Sequence, residues 1–384
     1  MQKKVAVFTG TRAEYGLLYW LLHDINADSE LQLQLLVTGS HLSPEFGNTY
    51  QQIIADGFDI ADKIEILLSS DSSVGTVKSM GLALIGLADS LSRLQPDVLI
   101  LLGDRFEALA AAQAAMLMKI PVLHLHGGEI TEGATDDAIR HAITKLSYWH
   151  ATSTEVYRQR VIQLGESPER VKNVGAIGLD HLKRTRLLSR DQLADALDFK
   201  LNQPYFVVTY HPVTLAEEPP LASFNALLNA LDQFKQYQII LTYPNADEGG
   251  RQIIERLLSY AAEQPDRVLA VTSLGQLRYL SAVKHAAAII GNSSSGIIEV
   301  PAFNVPTVNI GARQQGRLAA PSVQHCRIDT SDIAASIKRV LSNAIPVGDN
   351  PYGQGNVSAN VIQMIKQLHF NPVKKFYDLP GAKL

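Results

Sequence analysis

The chain has 384 residues, of which 46% are hydrophobic and 19% charged, and its formal net charge is −4. This length predicts two domains, and the absence of any Lys/Arg block argues against a nucleic-acid-binding protein. The apolar runs are too short for a signal peptide or a membrane span, and the single cysteine, Cys326, excludes an internal disulfide, so a cytoplasmic location is expected.

Short apolar runs alternate with amphipathic stretches along most of the chain, which predicts βαβ units and parallel sheets. The strands predicted in the first half are Lys4–Thr9, Leu31–Thr38, Asp97–Leu102 and Pro121–Leu125. After a polar segment around residues 180–203 the pattern restarts, with predicted strands at Tyr205–Tyr210, Gln238–Tyr243, Arg267–Val271, Ala287–Gly291 and Pro306–Ile310. The predicted fold class is α/β, with two Rossmann-like, doubly wound domains that face a cleft.

The restart of the pattern predicts where the two domains lie in the chain. We assign residues 1–178 to the N-terminal domain and residues 179–365 to the C-terminal domain. The last apolar stretch, Val357–Leu368, is predicted to be helical and to pack back on the first half. The C-terminal residues 366–384 are expected to return to the N-terminal domain as a helix.

Ligands of open α/β sheets bind beyond the carboxyl ends of the strands, so the residues that follow each strand are the first candidates for a site. In GTRAEYG, after the first strand, Arg12 lies where a helix begins, and a guanidinium beside free helix N–H groups suits a phosphate. An ordinary turn with a solvated arginine is the alternative. GSHL follows the second strand and adds His41 to the candidates.

Carboxylates follow two strands and begin a helix in the first half. LILLGDRFEALAA, residues 99–111, ends an apolar run on Asp104 and Arg105, HLHGGE supplies Glu129, and TDDAIRH supplies Asp137. Carboxylates gathered in one place raise one another's pKa and can exchange protons near neutral pH.

Each of these residues also has a structural interpretation. An Asp at the start of a helix is commonly its N-cap, and Arg140 could pair with Asp136 one turn away. His124 and His126 share one face of a strand, but no third ligand follows at a spacing typical of zinc sites. We therefore expect neither a metal nor a cofactor.

The second half offers groups that suit a nucleotide diphosphate. The hydroxyl-rich turn of IGNSSSGIIEVPAF, with Ser294 and Ser295, could cradle a diphosphate, and Glu299 could accept hydrogen bonds from a ribose diol. Arg313, in NIGARQQGR, is a second cation for the same group. His211, in TYHPVT, is either a site residue or a buried, satisfied histidine.

These motifs together resemble the hydrolysing UDP-N-acetylglucosamine 2-epimerases of sialic-acid biosynthesis. They occur in order over nearly the full chain: TGTRAEYG, GSHL with FGNTY, LGDRFEALA, HLHGGE, DDAIRHAITKLS, HPVT, IGNSSSGIIEVPAF and NIGARQQGR. The resemblance implies two domains of the GT-B type, with the nucleotide held mainly by the second. It also implies inversion at carbon 2 coupled to loss of UDP, through a 2-acetamidoglucal intermediate, giving N-acetylmannosamine.

The resemblance assigns roles to individual residues. The implied catalytic residues are Asp104, Glu129, Asp137 and His211. The implied substrate- and UDP-binding residues are Arg12, His41, Arg105, Asn245, Ser294, Ser295, Glu299 and Arg313. A homo-oligomer, dimer or tetramer, is expected, and the partner is a nucleotide sugar, without nucleic acid or membrane.

Several alternatives remain open on the sequence. Non-hydrolysing relatives usually carry Gly-Gln-His where this chain has GSHL, which favours hydrolysis. Related enzymes of legionaminic-acid pathways act on a UDP-linked 2,4-diacetamido-2,4,6-trideoxy-glucose or on GDP-linked N-acetylglucosamine. A GT-B glycosyltransferase and a non-catalytic nucleotide-sugar sensor are alternatives of other classes, since this architecture hosts many functions.

Overall fold

The computed structural model describes residues 2–68, 72–132, 135–213, 219–244, 250–342 and 349–381. The chain divides into two compact units. The first comprises Met1–Glu129, Asp136–Lys183 and Tyr352–Leu384, and the second comprises Ile130–Thr135 and Arg184–Pro351.

The first unit is a doubly wound parallel sheet. Its strands are β1 (Lys3–Thr9), β2 (Leu31–Thr38), β3 (Ile60–Ile64), β4 (Val98–Leu102), β5 (Val122–Leu125), β6 (Trp149–Thr152) and β7 (Val171–Asn173). Its helices are α1 (Arg12–Ala27), α2 (Tyr50–Ala55), α3 (Ser73–Leu94), α4 (Phe106–Leu117), α5 (Asp136–Leu146), α6 (Glu155–Gln163) and α7 (Asp180–Arg184), the last of which ends at the unit boundary. The strand order among described residues is β3-β2-β1-β4-β5-β6-β7, so the winding reverses between β1 and β4.

The second unit repeats this plan with a separate parallel sheet. Its strands are β8 (Tyr205–Thr209), β9 (Gln238–Thr242), β10 (Val268–Val271), β11 (Ala288–Gly291), β12 (Thr307–Ile310) and β13 (Val323–Cys326). Its helices are α8 (Arg190–Leu197), α9 (Pro220–Leu231), α10 (Gly250–Ala262), α11 (Gly275–His285), α12 (Ser295–Ile298) and α13 (Thr330–Leu341). The order among described residues is β10-β9-β8-β11-β12-β13, which reverses between β8 and β11.

Both sheets are covered by helices on both faces, which explains the continuous apolar strands of the sequence. On β1, Val5 and Val7 pack into the core on one side, and Ala6 and Phe8 pack into the core on the other. A strand buried on both faces loses the polar alternation of a half-exposed strand. The α/β, doubly wound fold class of the sequence analysis is therefore confirmed.

The strands that the sequence analysis missed are β3, β6, β7 and β13. Three of them, β3, β7 and β13, lie at an edge of a sheet. Edge strands are short and carry polar residues, so their apolar signal is weak. In β3 (IADKI) the polar residues are Asp62 and Lys63, and in β13 (VQHC) they are Gln324 and His325.

Helix α3 is long and apolar enough, by length and composition, to cross a membrane. One of its faces belongs to the core, because Ala83, Leu87 and Leu91 pack beside Leu99 of β4 on one side of the first sheet. The core helix of a globular domain passes the same test of length and composition.

The domain limits deduced from the sequence need correction, because residues 179–183 and 352–365 belong to the first unit. The carboxylate of Asp180 accepts hydrogen bonds from the N–H groups of Val357 (2.6 Å) and Ser358 (2.7 Å), at the start of helix α14 (Val357–Gln367). This buried cap holds α14 in the first unit, where it packs on α1. The helix expected over 366–384 ends at Gln367, and no helix follows in the described part of that segment.

Candidate active site

Two of the three carboxylates predicted in the first unit, and the backbone of the third residue, contact one guanidinium. Arg140 of α5 is 1% exposed, and it forms an ion pair with Asp104, which follows β4. The same guanidinium donates to Asp137 (3.4 Å) and to the backbone carbonyl of Glu129 (2.9 Å). Residues from the end of β4, the loop after β5 and the first turn of α5 are thereby brought together.

Arg140 is the organising residue that the sequence analysis did not select. The pattern suggested a local pairing with Asp136, whereas the structure pairs Arg140 with Asp104, 36 positions away, as well as with Asp137. A buried guanidinium is stable only when carboxylates and carbonyls satisfy its donors. Arg140 lies on the same buried face of α5 as Ile143 and Thr144, and this spacing could have identified it in the sequence. Its partners are set by the tertiary fold.

The Glu129 side chain is buried and held by two neighbours. Its Oε1 accepts a hydrogen bond from the hydroxyl of Ser153 (2.7 Å) and lies 3.0 Å from Nδ1 of His126. Ser153 follows β6, and His126 follows β5. Neighbouring strand ends therefore position this carboxylate.

His124 is not arranged as a metal ligand. Its ring nitrogens contact the Gly103 carbonyl (2.7 Å) and the Thr144 hydroxyl (3.2 Å), and burial lowers the pKa of His124 to about 3. Among the described residues, no group of three or more His, Cys, Asp or Glu side chains could hold a metal ion.

Arg12 and Arg105 lie at the switch point of the first sheet. Arg12 is the first residue of α1, after β1, and Arg105 caps α4, after the neighbouring strand β4. Arg105 donates to the buried Glu107 carboxylate (3.2 Å), and Glu14 accepts from the backbone N–H groups of Gly10 and Thr11 (2.9 Å each). The capping box formed by Thr11 and Glu14 can be predicted from its T-x-x-E spacing, but the contact between Arg105 and Glu107 cannot.

His41, a predicted binding residue, is placed inside the first unit. Its side chain is 0% exposed, and its ring nitrogens contact the hydroxyls of Thr9 (3.0 Å) and Thr49 (2.8 Å). Burial lowers the pKa of His41 to about 4, so the ring is neutral at neutral pH. This geometry links β1 to the segment before α2, and the binding role implied for His41 stays a prediction.

In the second unit, His211 follows β8 and is tied to the turn after β11. The backbone N–H of His211 donates to Asn292 Oδ1 (2.7 Å), and Asn292 Nδ2 donates back to the His211 carbonyl (2.8 Å). Arg313 donates to the Asn292 carbonyl (3.1 Å). Burial and the nearby Arg313 charge hold the pKa of His211 well below its ordinary value. Asn292 is thus a positioning residue that the sequence analysis missed.

The serine-rich turn begins at the carboxyl end of β11. Gly291 has φ +139°, and a Cβ there would lie 1.9 Å from the Thr209 carbonyl oxygen, so only glycine fits. Ser294 precedes α12, and the Ser295 hydroxyl accepts from Tyr279 (2.9 Å). Glu299 is buried at the end of α12. The predicted residue Asn245 lies outside the described residues.

Comparison with known proteins assigns the chain to a family. A family model described as UDP-N-acetylglucosamine 2-epimerase matches residues 23–366. The chain belongs to this family.

Among its relatives, a "GDP/UDP-N,N'-diacetylbacillosamine 2-epimerase (hydrolyzing)" of Campylobacter jejuni is 43% identical over 87% of this chain and 86% of the relative. A "UDP-N,N'-diacetylbacillosamine 2-epimerase (hydrolyzing)" of Legionella pneumophila is 35% identical over 96% of this chain and 97% of the relative.

Solved structures share the fold. The structure of the UDP-GlcNAc 2-epimerase of Neisseria meningitidis bound to UDP-GlcNAc has a TM-score of 0.81 at 19% identity and covers 96% of this chain and 100% of that chain. The two doubly wound sheets are thus those of a GT-B-type 2-epimerase. With the family and its relatives, this makes the chain a hydrolysing 2-epimerase of nucleotide sugars.

The Arg140 cluster predicts a large stability effect for one substitution. Arg140→Met would leave Asp104 and Asp137 close together without their shared cation, and we expect the free energy of unfolding of the first unit to fall by about 3 kcal/mol. The matched control is Arg93→Met, which removes a surface ion pair with Asp62 and is expected to cost less than about 1 kcal/mol. Urea unfolding of both variants measures the difference, and equal losses would contradict a central role for Arg140.

His41 predicts a pH dependence of stability. Its pKa is about 4 in the folded chain against 6.5 ordinarily, so below about pH 6.5 the unfolded chain takes up a proton that the folded chain does not. The contribution of neutral His41 to the free energy of unfolding is present at higher pH. It is lost as the pH falls from about 6.5 towards 4, by about 1.4 kcal/mol per pH unit. The difference in unfolding free energy between the natural protein and His41→Gln should therefore shrink between about pH 6 and pH 4.5.

The exposed, non-titrating Ile54 supplies the control for this measurement. The difference between the natural protein and Ile54→Ala should stay constant over the same range, since neither side chain titrates and Ile54 is 52% exposed. A constant difference for His41→Gln as well would show that His41 takes up its proton equally in both states.

Proposed function

We propose that the substrate is UDP-linked N,N′-diacetylbacillosamine, a 2,4-diacetamido-2,4,6-trideoxy-glucose, with the GDP-linked form of the same sugar as the second candidate. The names of the Campylobacter and Legionella relatives support this choice. It takes the place of UDP-N-acetylglucosamine and of a role in sialic-acid biosynthesis, which the motifs first suggested. We place the reaction in the cytoplasm, as expected from the single cysteine.

The proposed reaction is an anti elimination followed by hydration. A base removes the proton from carbon 2, the electron pair forms the carbon 1–carbon 2 double bond, and the carbon 1–oxygen bond breaks to release UDP. Water then adds its oxygen to carbon 1 of the glycal, and an acid delivers a proton to the opposite face of carbon 2. The products are UDP and the free sugar with inverted configuration at carbon 2.

The cluster around Arg140 carries the mechanistic part of the proposal. Asp104, Glu129 and Asp137 supply the groups for the two proton transfers, each of which needs a positioned acid or base. Arg12 and Arg105 lie at the end of β1 and at the start of α4, where a phosphate is expected to bind.

The second unit supplies the proposed nucleotide site. Arg313, Ser294 and Ser295 stabilise the diphosphate as it departs, and Glu299 binds the ribose diol. Because the pKa of His211 is lowered, the ring acts as a neutral hydrogen-bonding group and the positive charge comes from Arg313. This refines the role of His211, which the resemblance implies only as a catalytic residue.

The test is a comparison of nucleotide sugars without any acceptor. UDP-diacetylbacillosamine, GDP-diacetylbacillosamine and UDP-N-acetylglucosamine are each incubated with the protein, and nucleotide release is measured. We expect the UDP-diacetamido sugar to have the highest kcat/KM, by about 10-fold or more, because one buried polar contact to the 4-acetamido group is worth about 1–3 kcal/mol. Solvent deuterium should appear at carbon 2, and oxygen-18 from water in the sugar and not in UDP.

Two variants serve as internal controls for the assignment of roles. Glu129→Gln should lower turnover by about 100-fold or more while UDP still binds, whereas Arg313→Ala should chiefly weaken UDP binding. A preference for UDP-N-acetylglucosamine would overturn the proposed substrate. Label in UDP, or product without deuterium at carbon 2, would overturn the mechanism.

We also propose that the chain forms a homo-oligomer through the outer face of α3. Val74, Val77 and Ile85 on this face are 61%, 71% and 67% exposed, and contiguous exposed apolar surface marks interaction sites. The occupant we propose is a second copy of α3, packed antiparallel about a two-fold axis. That pairing sets the exposed Lys78 of one copy opposite the exposed Asp89 of the other, so the charges are complementary.

Sedimentation velocity tests this interface. Ile85→Glu places a charge within the face and should shift the protein to the monomer at micromolar concentration. Ile54→Glu is the control, because Ile54 of α2 is also exposed (52%) but lies away from α3. If the Ile85→Glu variant sediments like the natural protein, α3 is not the contact.

A further inference from the structure

The turn after β5 holds one histidine in a backbone conformation that histidine rarely adopts. His126 has φ +63°, in the left-handed region, and its side chain is buried. Such a conformation costs about 1 kcal/mol for a residue other than glycine and persists only where surrounding contacts impose it. The His126 backbone N–H donates to the Ala151 carbonyl of β6 (3.0 Å), so the neighbouring strand is one of these contacts.

Hydrogen bonds fix the tautomer of this ring. The backbone N–H of Ile177 donates to His126 Nε2 (3.1 Å), so Nε2 is an acceptor and carries no proton. The ring proton therefore lies on Nδ1, which is 3.0 Å from Glu129 Oε1, and Nδ1 donates to that oxygen. Because the Ile177 N–H occupies Nε2, Nδ1 is the nitrogen that faces Glu129 as a donor.

Two donors thus converge on one carboxylate oxygen. Ser153 Oγ donates to the same Oε1 (2.7 Å). Hydrogen bonds to a carboxylate favour its ionised form, and two donors at one oxygen also fix its orientation. The His126 and Ile177 contacts come from the segments that follow β5 and β7, and the Ser153 contact from the segment after β6, the strand between them.

We propose that His126 is a positioning residue that holds Glu129 ionised and oriented as the base that removes the carbon 2 proton. The inference rests on the proposed function, which assigns Glu129 to proton transfer. His126 is not itself the base or the acid, because the Ile177 N–H occupies the nitrogen that would have to gain a proton. His126 thus acts on the reaction through the ionisation and the orientation of the Glu129 carboxylate.

Two amide substitutions separate the two hydrogen bonds of the ring. His126→Asn places an amide near the position of Nδ1, keeps a donor for Glu129, and suits the left-handed backbone, which Asn tolerates. His126→Gln places its amide oxygen near the position of Nε2, keeps an acceptor for Ile177, and removes the donor to Glu129. Each variant therefore retains one of the two hydrogen bonds of the ring.

The expected result is a difference in kcat between the two variants. His126→Asn should stay within about 10-fold of the natural protein, and His126→Gln should lose about 100-fold, with KM changed by less than about 3-fold in both. The acidic limb of the kcat–pH profile should move to higher pH in His126→Gln, because the carboxylate has lost a donor. UDP affinity, measured by calorimetry, should be unchanged.

Further variants separate failure of this inference from failure of the proposed function. If Glu129→Gln loses about 100-fold but His126→Gln is unimpaired, or if both His126 variants fall equally, His126 is not a positioning residue. If Glu129→Gln is itself fully active, the proposed role of Glu129 fails. Should His126→Gln not fold, Ser153→Ala removes the other donor, and it should lower kcat by about 10-fold and move the acidic limb the same way. An unmoved limb would overturn the inference.

Discussion

The arrangement of the first unit depends on the buried guanidinium of Arg140. It binds Asp104, Asp137 and the Glu129 carbonyl, which come from three separate segments of the chain. Without that cation the two aspartates would repel each other, and without them the guanidinium would be buried uncompensated. The interaction therefore fixes the end of β4, the loop after β5 and the start of α5 relative to one another, and it holds the carboxylates of Asp104 and Asp137 together.

Much of this architecture was predictable because both sheets are buried on both faces. Strands such as β1 and β4 then read as continuous apolar runs, and glycine or polar residues mark their carboxyl ends. Since parallel strands all end at the same edge, the residues after them are brought near one another by topology alone. The sequence alone therefore predicts that Asp104 and Glu129, which follow neighbouring strands, lie near each other.

The features that could not be predicted depend on contacts distant in sequence. The Asp180 carboxylate caps α14 at Val357, which lies 177 positions further along the chain. The local sequence around either residue does not predict this contact. The ring of His41 contacts the hydroxyls of Thr9 and Thr49 inside the unit, and the sequence predicts neither contact. Position after a strand selects the candidates for a site, and the contacts that each candidate makes are set by the rest of the fold.

Burial decides which residues carry charge. It lowers the pKa of His124 and of His211, so these rings are neutral at neutral pH and cannot supply a cation. In each unit an arginine supplies it instead, and each donates to a backbone carbonyl: Arg140 to Glu129 (2.9 Å) and Arg313 to Asn292 (3.1 Å). A guanidinium that donates to a carbonyl is oriented before any substrate binds. The side-chain entropy is therefore lost on folding and not on binding. Because a carbonyl is uncharged, this tether leaves the positive charge available to carboxylates or to a diphosphate.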